Sequence, residues 1–323
     1  MKTLLVGYKA ADLTPELLEG DVTCHVLDIY HRHAIEKVHH AKCVCSAHLP
    51  EGPWDLIKFR TGPKIHSGEL ALDLLQEISQ LLRSGQETAS PLSKNRQFHL
   101  DFVGKERDRN DLINKIKDDP KRVRSFKAEW PASVPGGEKL MFTSYPGCFC
   151  HRRLDEGGLA LAEVVSREVL NTEAQRHREE GLGVLDMGCG CGLVGFLIAN
   201  RISSLFPLPS SLVLVDSHSR AVEAAMENAA KFGIPAEVIL SDNGTPARMD
   251  GTFDVFVGNP PYYSDYRIAE VFLETAKRAL KPGGTCYTVV KNAAGLKPVQ
   301  ERFFPSVAVI ARRGYSVLKS VKE

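Results

Sequence analysis

A surplus of charge is what this sequence lacks: 41 Lys and Arg face 40 Asp and Glu, a net +1 over 323 residues. That balance excludes a globally basic nucleic-acid surface, so any such surface must be a local cluster. Long apolar runs are missing as well, and no uninterrupted stretch is long enough to span a bilayer. The opening Met-Lys-Thr-Leu-Leu-Val-Gly-Tyr-Lys is too brief an apolar run for a secretory signal before Lys9 and Asp12. A cytoplasmic protein with no membrane partner is expected. Zinc-like cysteine spacing is absent too. Six of the 8 cysteines fall in Cys-x-Cys pairs, Cys43/Cys45, Cys148/Cys150 and Cys189/Cys191. Structural zinc favours longer spacings, and a chain of this length needs no disulfide staples. His39, His40, Cys43, Cys45 and His48 form the most metal-like cluster. Small thiols alternating on one buried strand face explain it equally well. No metal is expected.

What is present is ordinary globular composition, 43% hydrophobic and 25% charged. The length favours two domains. The chain is organised around residues 183–195, where Val184-Leu185 reads as a buried strand closed by Asp186. Gly188, Gly190 and Gly192 form a turn, and a helix starts near Leu193. Glycine permits positive φ and close approach of a ligand, while a helix N-terminus offers unpaired N–H groups. Gly190, Gly192 and Gly195 also satisfy G-x-G-x-x-G, which by itself suggests a dinucleotide. Asp186, two residues before the first glycine, argues against that register.

Three strand ends follow. Leu212 to Val215 closes in Asp216, which either accepts ribose hydroxyls or caps the next helix. Val238 to Ser241 closes in Asp242. Phe253 to Val257 leads to Asn259-Pro260-Pro261-Tyr262. Active sites of open α/β sheets lie at such carboxyl ends. Two prolines stiffen the backbone and remove competing N–H groups. The Asn259 side-chain oxygen and the Pro260 carbonyl can then accept both protons of a planar amine, favouring positive charge as it develops on nitrogen. Tyr262 offers a face on which an extruded base can stack.

The stretch Val-Leu-Asp-Met-Gly-Cys-Gly-Cys-Gly resembles motif I of the class I S-adenosylmethionine-dependent methyltransferases. Pro146-Gly-Cys-Phe followed by Leu154-Asp-Glu-Gly is similar to the segment before motif I in bacterial ribosomal RNA guanine-N2 methyltransferases. The resemblance covers about residues 141–318. It implies S-adenosylmethionine held by Asp186, Gly188, Cys189, Gly190, Asp216, Asp242 and Asn259, with Asp242 facing the adenine amine. It also implies catalysis by Asn259, Pro260, Pro261 and Tyr262 on the N2 amine of a guanine, with ribosomal RNA or a ribosomal subunit as partner. That group usually carries Asn-Pro-Pro-Phe-His, whereas this chain has Tyr262 and Tyr263. A tRNA adenine or a protein glutamine is therefore an alternative substrate, and a ribosome-assembly factor without turnover is an alternative class. The Ser264 to Glu270 stretch pulls back toward the ribosomal RNA group.

Residues 1–85 read as a worn copy of the later half. Val22 to Asp28 parallels Ser211 to Asp216, and Trp54 to Phe59 parallels Phe253 to Gly258. Helices over Glu69–Leu82 and Arg267–Leu280 follow, ending in similar turns, Arg83-Ser-Gly and Lys281-Pro-Gly. The copy has no glycine-rich turn, and Arg60-Thr-Gly-Pro stands where the later half has Asn-Pro-Pro. Gln86 to Asn95 is expected as a loop, and Lys105 to Lys127 as a charged helix face or a phosphate-contacting surface. The expectation is a Rossmann-like, doubly wound α/β methyltransferase sheet in tandem. Residues 1–136 would be a degenerate copy with an RNA-recognition or structural role, and 138–323 the catalytic domain, joined by a linker at Pro131–Gly137. No oligomeric state is implied.

Overall fold

A computed structural model describes residues 1–84, 97–117, 125–172, 181–203, 211–261 and 266–323. They form two compact units. The first comprises Met1–Lys127 with Tyr145–Gly147 and His218–Arg220, and the second takes the remainder.

In the first unit the chain runs β1 (Lys2–Val6), β2 (Asp21–Val26), α1 (Ile29–His39), β3 (Cys43–Cys45), β4 (Leu56–Thr61), α2 (Gly68–Ser84), β5 (Gln97–Phe102) and α3 (Glu106–Lys117). The sheet is parallel throughout in the order β3-β2-β1-β4-β5. Leu4, Leu5 and Val6 are all buried because helices cover both faces, which is why β1 reads as a continuous apolar run. Two apolar clusters fill those faces, one around Leu4, Ile57, Phe59 and Leu74, the other around Leu5, Cys24 and Ile35.

The second unit begins with a hairpin, β6 (Ala128–Ala132) and β7 (Leu140–Ser144). It continues α4 (Glu156–Thr172), β8 (Gly183–Met187), α5 (Leu193–Ser203), β9 (Ser211–Asp216), α6 (Ser219–Phe232), β10 (Glu237–Leu240), β11 (Phe253–Gly258), α7 (Arg267–Ala279), β12 (Leu280–Val290), α8 (Ala293–Gln300), β13 (Ala308–Arg312) and β14 (Tyr315–Val321). Its sheet order is β10-β9-β8-β11-β12-β14-β13. The first five strands are parallel and repeat the order of the first unit; β14 and β13 are antiparallel. The doubly wound tandem architecture expected from the sequence is the one observed.

One local expectation needs correction. Pro131–Gly137 is not a free linker: Pro131 and Ala132 close β6, and the Gly137 N–H bonds the Val134 carbonyl in the hairpin turn. Proline fits because it sits in a two-stranded pair with a solvent side. The continuous segment of the first unit runs to Lys127. Lys281-Pro282-Gly283 closely follows the end of α7 at Ala279, with Gly283 at φ 79°. It bulges within β12, where Phe253 pairs with Leu280 but Val255 with Thr285. Arg313-Gly314 is the two-residue hairpin turn between β13 and β14, both at positive φ. Gln86 to Asn95, Gly85, and Lys121, Arg122 and Arg124 of the basic run lie outside the described residues.

Candidate active site

Register places the expected residues on one edge. Within the second sheet Met187 pairs with Gly258, so Gly188 and Asn259 leave neighbouring strands side by side. On the other flank Leu240 pairs with Asp216, and the Ser241 N–H bonds the Asp216 carbonyl. The carboxyl ends of β10, β9, β8 and β11 thus present Asp242, Asp216, the glycine turn and Asn259 in that order. This is the edge at which chain direction reverses about the first strand, the usual ligand crevice of such sheets.

The glycine turn is held rigid. Gly188, Gly190 and Gly192 have φ of 70°, 56° and 85°, a region that side chains with a Cβ rarely adopt. The N–H groups of Gly188 and Cys189 both bond the Val215 carbonyl, at 2.8 and 3.0 Å. A Cβ at Gly188 would lie 2.7 Å from the Phe272 ring, and one at Gly258 2.8 Å from the same ring. Phe272 on α7 therefore packs under both loops. A Cβ at Gly190 would meet nothing within 4 Å, so the turn is approachable at that residue.

The acids do different work. Asp186 lies inside β8, 2% exposed, and its Oδ2 accepts the Gly195 N–H at 2.9 Å. It braces the start of α5 from beneath. Burial, with a further contribution from Asp216, pushes its carboxyl up to about 7. Asp216 is half-buried, and its Oδ2 accepts the Gly190 N–H at 2.8 Å, tying the second strand end to the turn. Asp242 is half-buried in the loop after β10. Cys189 and Cys191 are buried thiols that burial pushes far above the ordinary range, so neither is a nucleophile.

At β11, Asn259 is half-buried and Pro260 buried. The Asn259 Nδ2 donates to Asp155 Oδ2 at 2.7 Å. Tyr262 lies outside the described residues.

Two contributors escaped the sequence reading. Asp155 stands in Leu154-Asp-Glu-Gly, where an acid before a helix start is an N-cap signature. Asn228 carried no signal at all. Its fully buried side chain accepts the Thr143 N–H and donates to the carbonyls of Thr143 and Cys191, joining β7 to the glycine turn. Conversely, Arg312 and Arg313 are engaged within the unit, paired with Glu163 at 2.5 and 2.9 Å, and Arg313 also meets Glu156 at 3.0 Å. Among the described residues no cluster of His, Cys, Asp or Glu could hold a metal ion. Burial raises the Cys43 thiol to about 12, and His48 bonds Glu77. No described helix is long and apolar enough to cross a membrane.

A glycine turn after the first strand, an acid after the second and Asn-Pro-Pro after the fourth, on a sheet closed by an antiparallel hairpin, is the arrangement of a methyltransferase domain. The chain belongs to the methyltransferase small domain family, which matches residues 139–319. It is similar to ribosomal RNA small subunit methyltransferase C of Pseudomonas aeruginosa, 30% identical over 192 residues, 56% of this chain and 52% of that protein. The same-named protein of Haemophilus influenzae is 26% identical over 57% of this chain and 52% of its own length. The chain thus matches about half the length of these relatives. Among solved structures, the T. thermophilus 16S rRNA N2 G1207 methyltransferase (RsmC), in complex with AdoMet and guanosine, aligns over 100% of this chain and 88% of its own. Its TM-score is 0.72 at 18% identity, which shows a common fold.

Proposed function

We propose that this protein transfers a methyl group from S-adenosylmethionine to the exocyclic N2 amine of a guanine in ribosomal RNA. One observation carries the reading: the Met187–Gly258 pairing sets the approachable glycine turn beside Asn259 and Pro260. The residues present suit the cofactor. Gly190 leaves room at the turn, and the carboxylates of Asp216 and Asp242 on the same edge can accept hydrogen bonds from ribose hydroxyls and an adenine amine. Gly188, Cys189 and Gly190 would pass the methionine part, Asp216 the ribose hydroxyls and Asp242 the adenine amine, with Asp186 bracing the turn. When bound, S-adenosylmethionine supplies an electrophilic methyl group.

The chain's own part is orientation. Asn259 Oδ1 and the Pro260 carbonyl accept the two amine protons and hold the nitrogen lone pair toward the glycine turn. Those bonds strengthen as nitrogen gains positive charge, so they lower the barrier rather than merely aid binding. Pro261 fixes the backbone, Tyr262 stacks the base, and the surplus proton passes to solvent. On the loop before Asp155, Phe149 is 67% exposed and Arg152 and Arg153 are exposed as well, a stacking face and local positive charge suited to an RNA strand. The first unit serves as the RNA-recognition or structural half, and a cytoplasmic site of action follows from the substrate.

The test is methylation of ribosomal RNA and isolated ribosomal subunits by the purified chain with labelled S-adenosylmethionine, followed by nucleoside analysis. N2-methylguanosine is the expected product. Label only in adenine or in a protein glutamine would transfer the reading to those amines, and binding without turnover would make the chain an assembly factor.

A further inference from the structure

An asparagine amide has two orientations of nearly equal shape, and its hydrogen-bond partners select between them. One partner here is Asp155. Its carboxylate is the N-cap of α4, accepting the N–H groups of Gly157 at 3.1 Å and Gly158 at 2.9 Å. The seat has no spare room: a Cβ at Gly158 would lie 2.6 Å from Asp155 Oδ2. The same Oδ2 takes the Asn259 Nδ2 at 2.7 Å, across 104 residues of sequence. Burial holds the Asp155 carboxyl above the usual carboxylate range, with the Asn259 bond acting in the opposite direction.

We infer that Asp155 is a positioning residue: held by the first turn of α4, it fixes Asn259 with nitrogen inward, so that Oδ1 is the atom offered to the substrate amine. An ionised carboxylate only accepts hydrogen bonds, so the flipped amide would set oxygen against oxygen. That flip would also turn N–H groups toward an amine that is itself a donor. The cap on α4 and the chemistry at β11 are thereby one hydrogen-bonded unit. This rests on reading Asn259 as the amine acceptor.

Asp155→Ser and Asp155→Asn separate the roles. Serine caps helices about as well as aspartate but is too short to reach Asn259; asparagine, with its one amide oxygen in the Oδ2 position, still accepts from Gly158 and Asn259 and loses only the Gly157 contact. Asp155→Ser should lower single-turnover methylation roughly tenfold, the scale of one lost charge-assisted hydrogen bond, with S-adenosylmethionine affinity and thermal midpoint near wild type. Asp155→Asn should restore most turnover. The Asp155→Ser/Asn259→Ala double variant should be no slower than Asn259→Ala alone, because the first change acts only through the second residue. A merely structural Asp155 would give multiplying losses and a lowered thermal midpoint, which overturns the inference, as does wild-type turnover in Asp155→Ser. If Asn259→Ala itself retains turnover, the active-site reading fails; if only Asp155→Ser is silent, that reading stands and the positioning role alone is wrong.

Discussion

The first sheet and the five parallel strands of the second share the order third-second-first-fourth-fifth, yet their carboxyl edges differ residue by residue. After β8 the glycine turn is approachable at Gly190; after β1 the space over Gly7 is filled, since a Cβ there would lie 2.5 Å from the Arg60 carbonyl and 2.8 Å from His66. Tyr8, 3% exposed, and Arg60, held between Asp12 at 3.0 Å and Asp101 at 2.6 Å, complete the plug. After β9, Asp216 grips the glycine turn; after β2, Asp28 caps α1 through the Tyr30 N–H at 2.9 Å. After β11 stands Asn259; after β4 stands Gly62, whose Cβ would meet the Val103 carbonyl at 2.0 Å. Strand order creates the edge in both units, but only in the second does the glycine turn leave it approachable. Elsewhere side chains close it, and the same positions serve stability.

The contrast can be pressed with pH first. His25 of the first unit is 1% exposed and burial lowers it to about 4. Its contribution is complete above about 6.5 and is lost as pH falls toward 4, on the order of 3 kcal/mol. Asp186 of the second unit, raised to about 7, has the opposite sign: stability is complete below about 4 and falls as pH rises through 7. Hydrogen exchange at pH 5 and pH 8 should show the first unit loosening in acid and the second in alkali.

Asn259→Ala comes next: single-turnover methylation should fall roughly a hundredfold or more while filter binding of RNA changes little, since backbone contacts supply most nucleic-acid affinity. Gly188→Ala should weaken S-adenosylmethionine binding about tenfold or more, because φ of 70° and the Phe272 ring both oppose a Cβ. Gly7→Ala should lower the thermal midpoint and leave calorimetric affinity alone. The smallest pair is Asp216→Ala, about 1–3 kcal/mol of cofactor affinity, against Asp28→Ala, about 1 kcal/mol of stability and no affinity.

What was legible in the sequence was contiguous. The glycine turn and Asn259-Pro260-Pro261 announce themselves because backbone needs are written in adjacent residues, and the strand ends follow from apolar runs closed by acids. The Asp155–Asn259 and Asn228–Cys191 contacts were not legible, because each joins residues far apart in the chain. The hairpin at Ala128–Ser144 was misjudged for another reason: its proline and glycines carry a turn's composition, and only pairing with β7 distinguishes a turn from a linker.

Calorimetric titration of S-adenosylmethionine into the full chain tests the central claim most directly. Two sheets of one order should yield one site per chain, lost or weakened in Asp216→Ala and unchanged in Asp28→Ala. Two sites, none, or a single site abolished by Asp28→Ala would contradict the account.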